Sequence, residues 1–336
     1  MQPVTANHIG RAGSRLSLYC KRPVTLPTQP QPLADMSWQS ALVNAGLRIV
    51  KRQLSKKDFA GAQVFFDKMN TAASKATVPS GYVLDRTTIA DVSCVWITPE
   101  TTEPSRSVVM YFHGGAFMSG SPQTHLDPAW RLAESSGARI LIVDYKLAPA
   151  AIFPSQLNDA VAVYCALLSD GYQSQQIAFA GDSAGGNMTL TVMLLLQQKQ
   201  LPLPAAGVCF SPWFDLTHSG NSIVVNARSD PMLPVNVLVN AAAVYAQETN
   251  PENPLVSPVF ADLSGFPPLL IYVGSSEILL DDAIRVAELA RTAGVEVVYQ
   301  SWYKQPHAFV GIAKFIPEGR KALQQAGEFL STRLNP

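Results

Sequence analysis

The residues best suited by type and spacing to do chemistry are Gly181-Asp182-Ser183-Ala184-Gly185. A short apolar run, Ile177 to Ala180, leads into Gly181, and a long apolar segment, Met188 to Leu196, follows. Gly-x-Ser-x-Gly between a strand and a helix is the pattern of a nucleophile turn. The serine sits on a sharp bend with its hydroxyl held out, and the glycines leave no Cβ to clash with neighbouring backbone. The helix N-terminus behind it supplies free N–H groups and partial positive charge. The chemistry this predicts is attack of an activated hydroxyl on a carbonyl carbon.

A serine hydroxyl needs a base to take its proton, and histidine is the usual one. The chain has five: His8, His113, His125, His218 and His307. In strand–turn–helix sites of this kind the order along the chain is serine, acid, histidine. The loop after a strand is the favoured place for each. Pro268 to Gly274 reads as a strand, and Ser275-Ser276-Glu277 as its loop. His307 is the only histidine after Glu277, and it too follows a predicted strand. Asp281 and Asp282 compete with Glu277 for the role of acid, but they open a helical run, where capping and the helix dipole explain them. Glu277 is therefore favoured, to fix the imidazole tautomer and stabilise the imidazolium. A developing oxyanion needs N–H donors placed in advance. Ala184 offers one. The others should come from Tyr111-Phe112-His113-Gly114-Gly115-Ala116-Phe117, at the end of the strand Val108 to Phe112, where Gly-Gly lets the backbone bend. His113 itself reads as a structural residue fixing that loop.

These residues must be carried on a regular frame. Two helices are expected in residues 35–76, from Val43, Leu47, Val50 and Leu54 and then Phe59, Ala62, Phe66 and Met69. Val92, Cys94 and Trp96 alternate with polar neighbours as in a half-exposed strand. Further strands are expected at Val108 to Phe112, Arg139 to Val143, 177–180, 206–210, 268–273 and 295–302. Helices are expected at 125–137, about 157–168, 185–198, 282–293 and 318–333. Such alternation implies an α/β fold, a mostly parallel sheet with helices on both faces. The rhythm breaks at about 213–262, where one helix, Val235 to Ala246, stands among Pro, Asn and Ser. An insertion there lies above the strand ends, where ligands bind. The resulting division is a leader at 1–32, a helical cap at 33–76 and 213–262, and a catalytic domain at 77–212 and 263–336. Val295 to Trp302 could be an edge strand, through which two copies could pair as a homodimer.

Of 336 residues, 47% are hydrophobic and 15% charged, enough for a large core. The formal net charge is zero, which gives no reason to expect nucleic acid as a partner. No apolar run approaches the roughly 20 residues of a membrane span. Cys20, Cys94, Cys165 and Cys209 are widely spaced, mostly in apolar segments, and read as buried thiols. The first 32 residues carry Arg11, Arg15, Lys21 and Arg22 and no acid, a disordered leader with a faint likeness to a transit peptide. A cytoplasmic enzyme is the default expectation. Trp38, Phe65, Phe66, Trp213 and Phe214 suggest an apolar pocket, although each is more often core.

From about residue 80 to 310 the chain resembles the hormone-sensitive-lipase-like esterases, an α/β-hydrolase family. His113-Gly114-Gly115-Ala116 resembles the family's His-Gly-Gly-Gly element, and Gly181 to Gly186 its nucleophile motif. Tyr145-Lys146-Leu147-Ala148-Pro149 is similar to its Tyr-Arg-Leu-Ala-Pro segment. Ser211-Pro212-Trp213, Glu277 to Asp282 and His307-Ala308-Phe309 resemble its later elements. The resemblance implies an α/β-hydrolase fold with a helical cap and hydrolysis of small apolar carboxylic esters, usually of short acyl chain, without metal or cofactor. It implies Ser183, Glu277 and His307 as the triad, with the amides of Gly115, Ala116 and Ala184 as oxyanion donors and Gly114 shaping the turn. Two departures stand out. Ala116 replaces the third glycine, and a positive φ there would cost roughly 1 kcal/mol. Glu277 stands where many members have Asp.

Overall fold

A computed structural model of the protein describes residues 36–57, 59–73, 75–100 and 106–334. The leader at 1–32 and Cys20 lie outside the described residues. Two helices come first, α1 (Trp38–Leu54) and α2 (Phe59–Ala73). The sheet strands are β1 (Tyr82–Ile89), β2 (Val92–Pro99), β3 (Val108–Phe112), β4 (Arg139–Val143), β5 (Ile177–Asp182), β6 (Gly207–Phe210), β7 (Leu269–Gly274) and β8 (Val297–Trp302). Between and after them run α3 (Leu126–Ser136), α4 (Ser155–Ser169), α5 (Ala184–Gln198), the short α6 (Ser222–Val225), α7 (Val235–Ala246), α8 (Leu280–Thr292) and α9 (Pro317–Leu334).

The strands form one sheet in the order β1-β2-β4-β3-β5-β6-β7-β8. β2 runs against both its neighbours, and every pair from β4 across to β8 is parallel. The carboxyl ends of β3 and β5 to β8 therefore open on one side of the molecule. β1 and β2 form a hairpin whose two turn residues, Ala90 and Asp91, have φ of 50° and 63°. Positive φ at both positions matches the twist of the paired strands.

Strand alternation divides the core between the two faces. Val108, Met110 and Phe112 of β3 join one cluster, with Leu157 of α4, Met188 of α5 and Val286 of α8. Val109 and Tyr111 join the other, with Leu132 of α3 and Leu323 of α9. β2 departs from the expected half-exposed pattern: Cys94 to Ile97 are all buried. The cause is its place inside the sheet, with β1 on one side and β4 on the other, where both faces carry packed side chains.

The N-terminal helices and the 213–262 insertion meet. Leu54, Ala62 and Val237 form a small separate cluster, joined by Phe65 and Phe66. Lys51 Nζ donates to the carbonyls of Ala227 and Asp230, both at 2.8 Å. α1 also reaches the loop after β8: Ser40 Oγ donates to Gln305 Oε1 at 3.1 Å and Asn44 Nδ2 to Lys304 O at 3.0 Å. Of the five aromatic residues suspected of lining a pocket, Trp38 is 70% exposed, whereas Trp213 and Phe214 are fully buried. Among the described residues β8 pairs only with β7, at the edge of the sheet. Among the described residues, no helix is long and apolar enough to cross a membrane.

Candidate active site

Ser183 follows β5 directly and caps α5, with φ 55° and ψ −118°. That backbone is costly for a residue with a Cβ and persists only because its surroundings fix it. The turn is tight enough to need its glycines. A Cβ on Gly185 would lie 1.8 Å from Phe112 O, and one on Gly181 would lie 2.3 Å from Gly185 O. The bend thus packs against the end of β3, the strand that leads into the glycine loop.

His307 lies in the loop after β8, and Glu277 in the loop after β7. His307 Nδ1 is 2.8 Å from Glu277 Oε2. Glu277 Oε1 accepts from Ser211 Oγ at 2.7 Å and from the Gly274 amide at 2.5 Å. Three donors on two oxygens suit an ionised carboxylate. Both residues are buried, Glu277 wholly. Burial pushes the Glu277 carboxyl up, against the hydrogen bonds and charge of His307 and the Ser211 hydroxyl. Burial pulls His307 down, but the hydrogen bond and charge of Glu277 outweigh it and raise the imidazole above its usual value; Asp230 and Asp182 add to this.

Asp281 and Asp282 face elsewhere. Asp281 Oδ2 accepts from the Ser222 amide at 2.9 Å. Asp282 Oδ2 accepts from the amides of Phe214 and Asp215 at 3.0 and 2.9 Å. Burial and the charge of Asp215 push the Asp282 carboxyl well above the usual range. Both acids lie in the first turn of α8, as expected, and additionally tie down the insertion.

Ser183 and His307 open from the same end of the sheet, and the end of β6 stands between them. The Ser183 amide donates to Phe210 O at 2.9 Å. The next residue, Ser211, accepts from the Ala308 amide at 3.0 Å. Ser211 is fully buried and holds the acid and the histidine loop with one hydroxyl. Residue-level reading gave it no role, yet its position directly after a strand is the signal that selected Glu277 and His307. Asp230 was also missed. It is fully buried, accepts from the Met232 and Leu233 amides at 2.7 and 2.9 Å, and accepts from the Ile278 amide, next to Glu277, at 3.0 Å.

The glycine loop follows β3. Gly115 has φ 125°, and a Cβ there would meet Ser119 O at 2.1 Å. Ala116 takes φ 55°, so the strain expected of an alanine at this position is present. The Gly114 amide is 3.2 Å from Asp182 Oδ1 and is thereby turned to the rear of the loop. No described residue accepts a hydrogen bond from the amides of Gly115 or Ala116. The Ala184 amide is the first of α5, where a helix leaves its N–H groups without an intrahelical acceptor. His113 is fully buried, stacks on Tyr145 with ring centroids 4.2 Å apart, and places Nδ1 2.9 Å from Gly114 O. Burial and a neighbouring His125 charge push its pKa down to about 3, so it is neutral.

The chain matches known proteins over most of its length. Residues 109–311 match the family described as alpha/beta hydrolase fold. The chain is 36% identical over 270 residues to an acetyl-hydrolase of Streptomyces hygroscopicus, covering 80% of this chain and 89% of that one. It is 35% identical over 226 residues to an esterase of Acinetobacter venetianus, covering 67% of this chain and 75% of the other. A crystal structure of an esterase from the bacterial hormone-sensitive lipase family superposes with a TM-score of 0.82 at 34% identity, covering 90% of this chain and all of that one.

Proposed function

The chain belongs to the α/β-hydrolase family, among the hormone-sensitive-lipase-like esterases, and we propose that it cleaves short-chain carboxylic esters through Ser183, His307 and Glu277. It is a serine carboxylesterase by family. The assignment of roles and the acyl preference are our reading. The observation that carries it is the 2.8 Å contact of His307 with the buried Glu277, at the sheet end where Ser183 is held on a strained bend.

In this reaction His307 Nε2 takes the Ser183 proton as Oγ attacks the ester carbonyl. Glu277 keeps the proton on Nδ1 and stabilises the imidazolium. The amides of Gly115, Ala116 and Ala184 receive the oxyanion. His307 then gives its proton to the departing alcohol. Water cleaves the acyl-enzyme by the same route and releases the acid. The N-terminal helices and the insertion form one cap over the site. The Leu54–Ala62–Val237 cluster and the Lys51 hydrogen bonds support this. The enzyme works in the cytoplasm, and two copies pair along the free edge of β8.

Ser183→Ala should abolish release of p-nitrophenol from p-nitrophenyl acetate and butyrate, a loss on the order of 10⁶ in kcat. Turnover at the wild-type rate would remove Ser183 from the reaction. A series of acyl chains from acetate to dodecanoate tests the pocket. A maximum at long chains would overturn the short-chain reading.

A further inference from the structure

A second histidine–carboxylate pair lies behind the glycine loop, and the reaction above does not use it. Asp182, the residue before Ser183, is buried at the end of β5. Its Oδ1 accepts from Tyr111 Oη at 2.8 Å and from the Gly114 amide at 3.2 Å. His125 Nε2 lies 3.3 Å from the same oxygen. His125 closes the turn Pro122–His125, and only 13% of its side chain is exposed.

The other ring nitrogen decides its state. His125 Nδ1 is 3.2 Å from the Ser121 carbonyl and 2.8 Å from Thr124 Oγ1. Thr124 Oγ1 donates its own proton to that carbonyl at 2.8 Å, so toward His125 it offers a lone pair. One nitrogen therefore faces a carbonyl and a hydroxyl lone pair, and the other faces a carboxylate. Neutral imidazole has one N–H: on Nδ1 it leaves the buried Asp182 carboxylate without the ring's donor and offers Nε2 to the Gly114 amide instead, and on Nε2 it leaves Nδ1 against the Ser121 carbonyl, whereas imidazolium donates to both Asp182 and that carbonyl.

We propose that His125 is an imidazolium that positions the oxyanion loop: it holds Asp182 as a carboxylate, and Asp182 holds the Gly114 amide. The proposal rests on the oxyanion role given to this loop. Removal of the charge has a local consequence. The Gly114 amide is also 3.3 Å from His125 Nε2, so a bare Nε2 can draw that N–H away from Asp182 and tilt the His113–Gly114 peptide, the one before the peptide that carries the Gly115 amide. A tilt there moves the donors that receive the oxyanion.

The surrounding charges are consistent. Tyr111 of β3, His113 of the loop and Asp182 of β5 face the ring, with centroid separations of 6.1 Å for Tyr111 and 5.5 Å for His113. Arg86 of β1 reaches the same turn at Gln123, and Asp127 of α3 is taken up by Arg131. Burial works against a charge on His125, but the charge and hydrogen bond of Asp182, with the Ser121 carbonyl, raise its pKa above the usual value. A group shifted this way keeps its charge at low pH and loses it as pH rises through the raised value.

The test uses the full chain, with His125→Gln and His125→Ala. Gln keeps one N–H for Asp182 and does not titrate in this range. In ¹⁵N-histidine spectra of wild type at pH 7.5, one ring should carry protons on both nitrogens, and its signals should vanish in His125→Gln. The kcat for p-nitrophenyl butyrate should fall in wild type above neutral pH and stay level in His125→Gln. His125→Ala should lower kcat about 10- to 100-fold with little change in KM, less than loss of a direct oxyanion donor at its most severe. A singly protonated His125 in wild type, or an alkaline fall unchanged in His125→Gln, overturns the proposal. The spectra need no activity, so the answer stands even if His125→Ala does not fold. An active Ser183→Ala would instead defeat the ester-hydrolysis roles and leave the state of His125 measured.

Discussion

Replacing Ser211 with Ala removes one buried hydroxyl that makes two hydrogen bonds. It donates to Glu277 Oε1 at 2.7 Å and accepts from the Ala308 amide at 3.0 Å. A hydrogen bond to a charged group contributes about 1.5–3 kcal/mol, and a buried N–H left without an acceptor costs about 1–3 kcal/mol. The two share one atom and are not additive, so a stability loss of about 3 kcal/mol is expected from urea unfolding. The catalytic effect has its own sign. In the proposed mechanism the active form needs His307 neutral and Glu277 charged. The lost donor disfavours the charged carboxylate, so in the protonated pair the proton moves toward Glu277, and the acidic limb of kcat/KM, which belongs to the pair, moves to higher pH by up to about one unit. In wild type that limb should already lie above the ordinary histidine value, because His307 is raised and, as the proposed base, must lose its proton to act. The kcat at the optimum should fall about 10- to 100-fold as Glu277 and the Ala308 peptide lose their common anchor. The assay is p-nitrophenyl butyrate hydrolysis from pH 5 to 9, with unfolding followed by fluorescence. A variant with kcat within twofold of wild type and an unmoved acidic limb would refute the argument.

Three further outcomes follow from the same contacts. Glu277→Gln should lower kcat about 10⁴-fold, whereas Asp281→Asn and Asp282→Asn should change it less than tenfold, as read from kcat at pH 8. An inactive Asp282→Asn with an active Glu277→Gln would move the acid to α8. Gly185→Ala drives a methyl into Phe112 O, at 1.8 Å, and should destabilise by about 3 kcal/mol or more while erasing activity, measured by thermal unfolding and turnover. Lys51→Met removes both hydrogen bonds from α1 to the insertion and should speed proteolysis near residues 227–230 and raise KM more than it lowers kcat.

Much of the frame was legible because its signals are local. The helix Val235–Ala246 and the strand Arg139–Val143 fall at the expected residues, since apolar periodicity and bounding turn residues act over a few positions. The bend at Ser183 was legible for the same reason: Gly181 and Gly185 are needed by the close approach of β3 to the turn, and that need is written within five residues. β2 was misjudged as half-exposed because alternation records only the polarity of its residues. What lies over each face depends on β1, β4 and the helices beyond.

The fold, and the places of Ser183 and His307 directly beyond strand ends, were set by the sequence itself, through short motifs and apolar periodicity. The direction of each side chain was set only by the tertiary structure. Glu277, Asp281 and Asp282 lie within six residues of one another, yet one meets His307 and the other two meet the insertion. Ser211 and His125 gain their partners from 66 and 57 residues away, Glu277 and Asp182 respectively. Such contacts depend on which strands lie side by side and in what register, a property of the assembled sheet that no local pattern of residue types encodes.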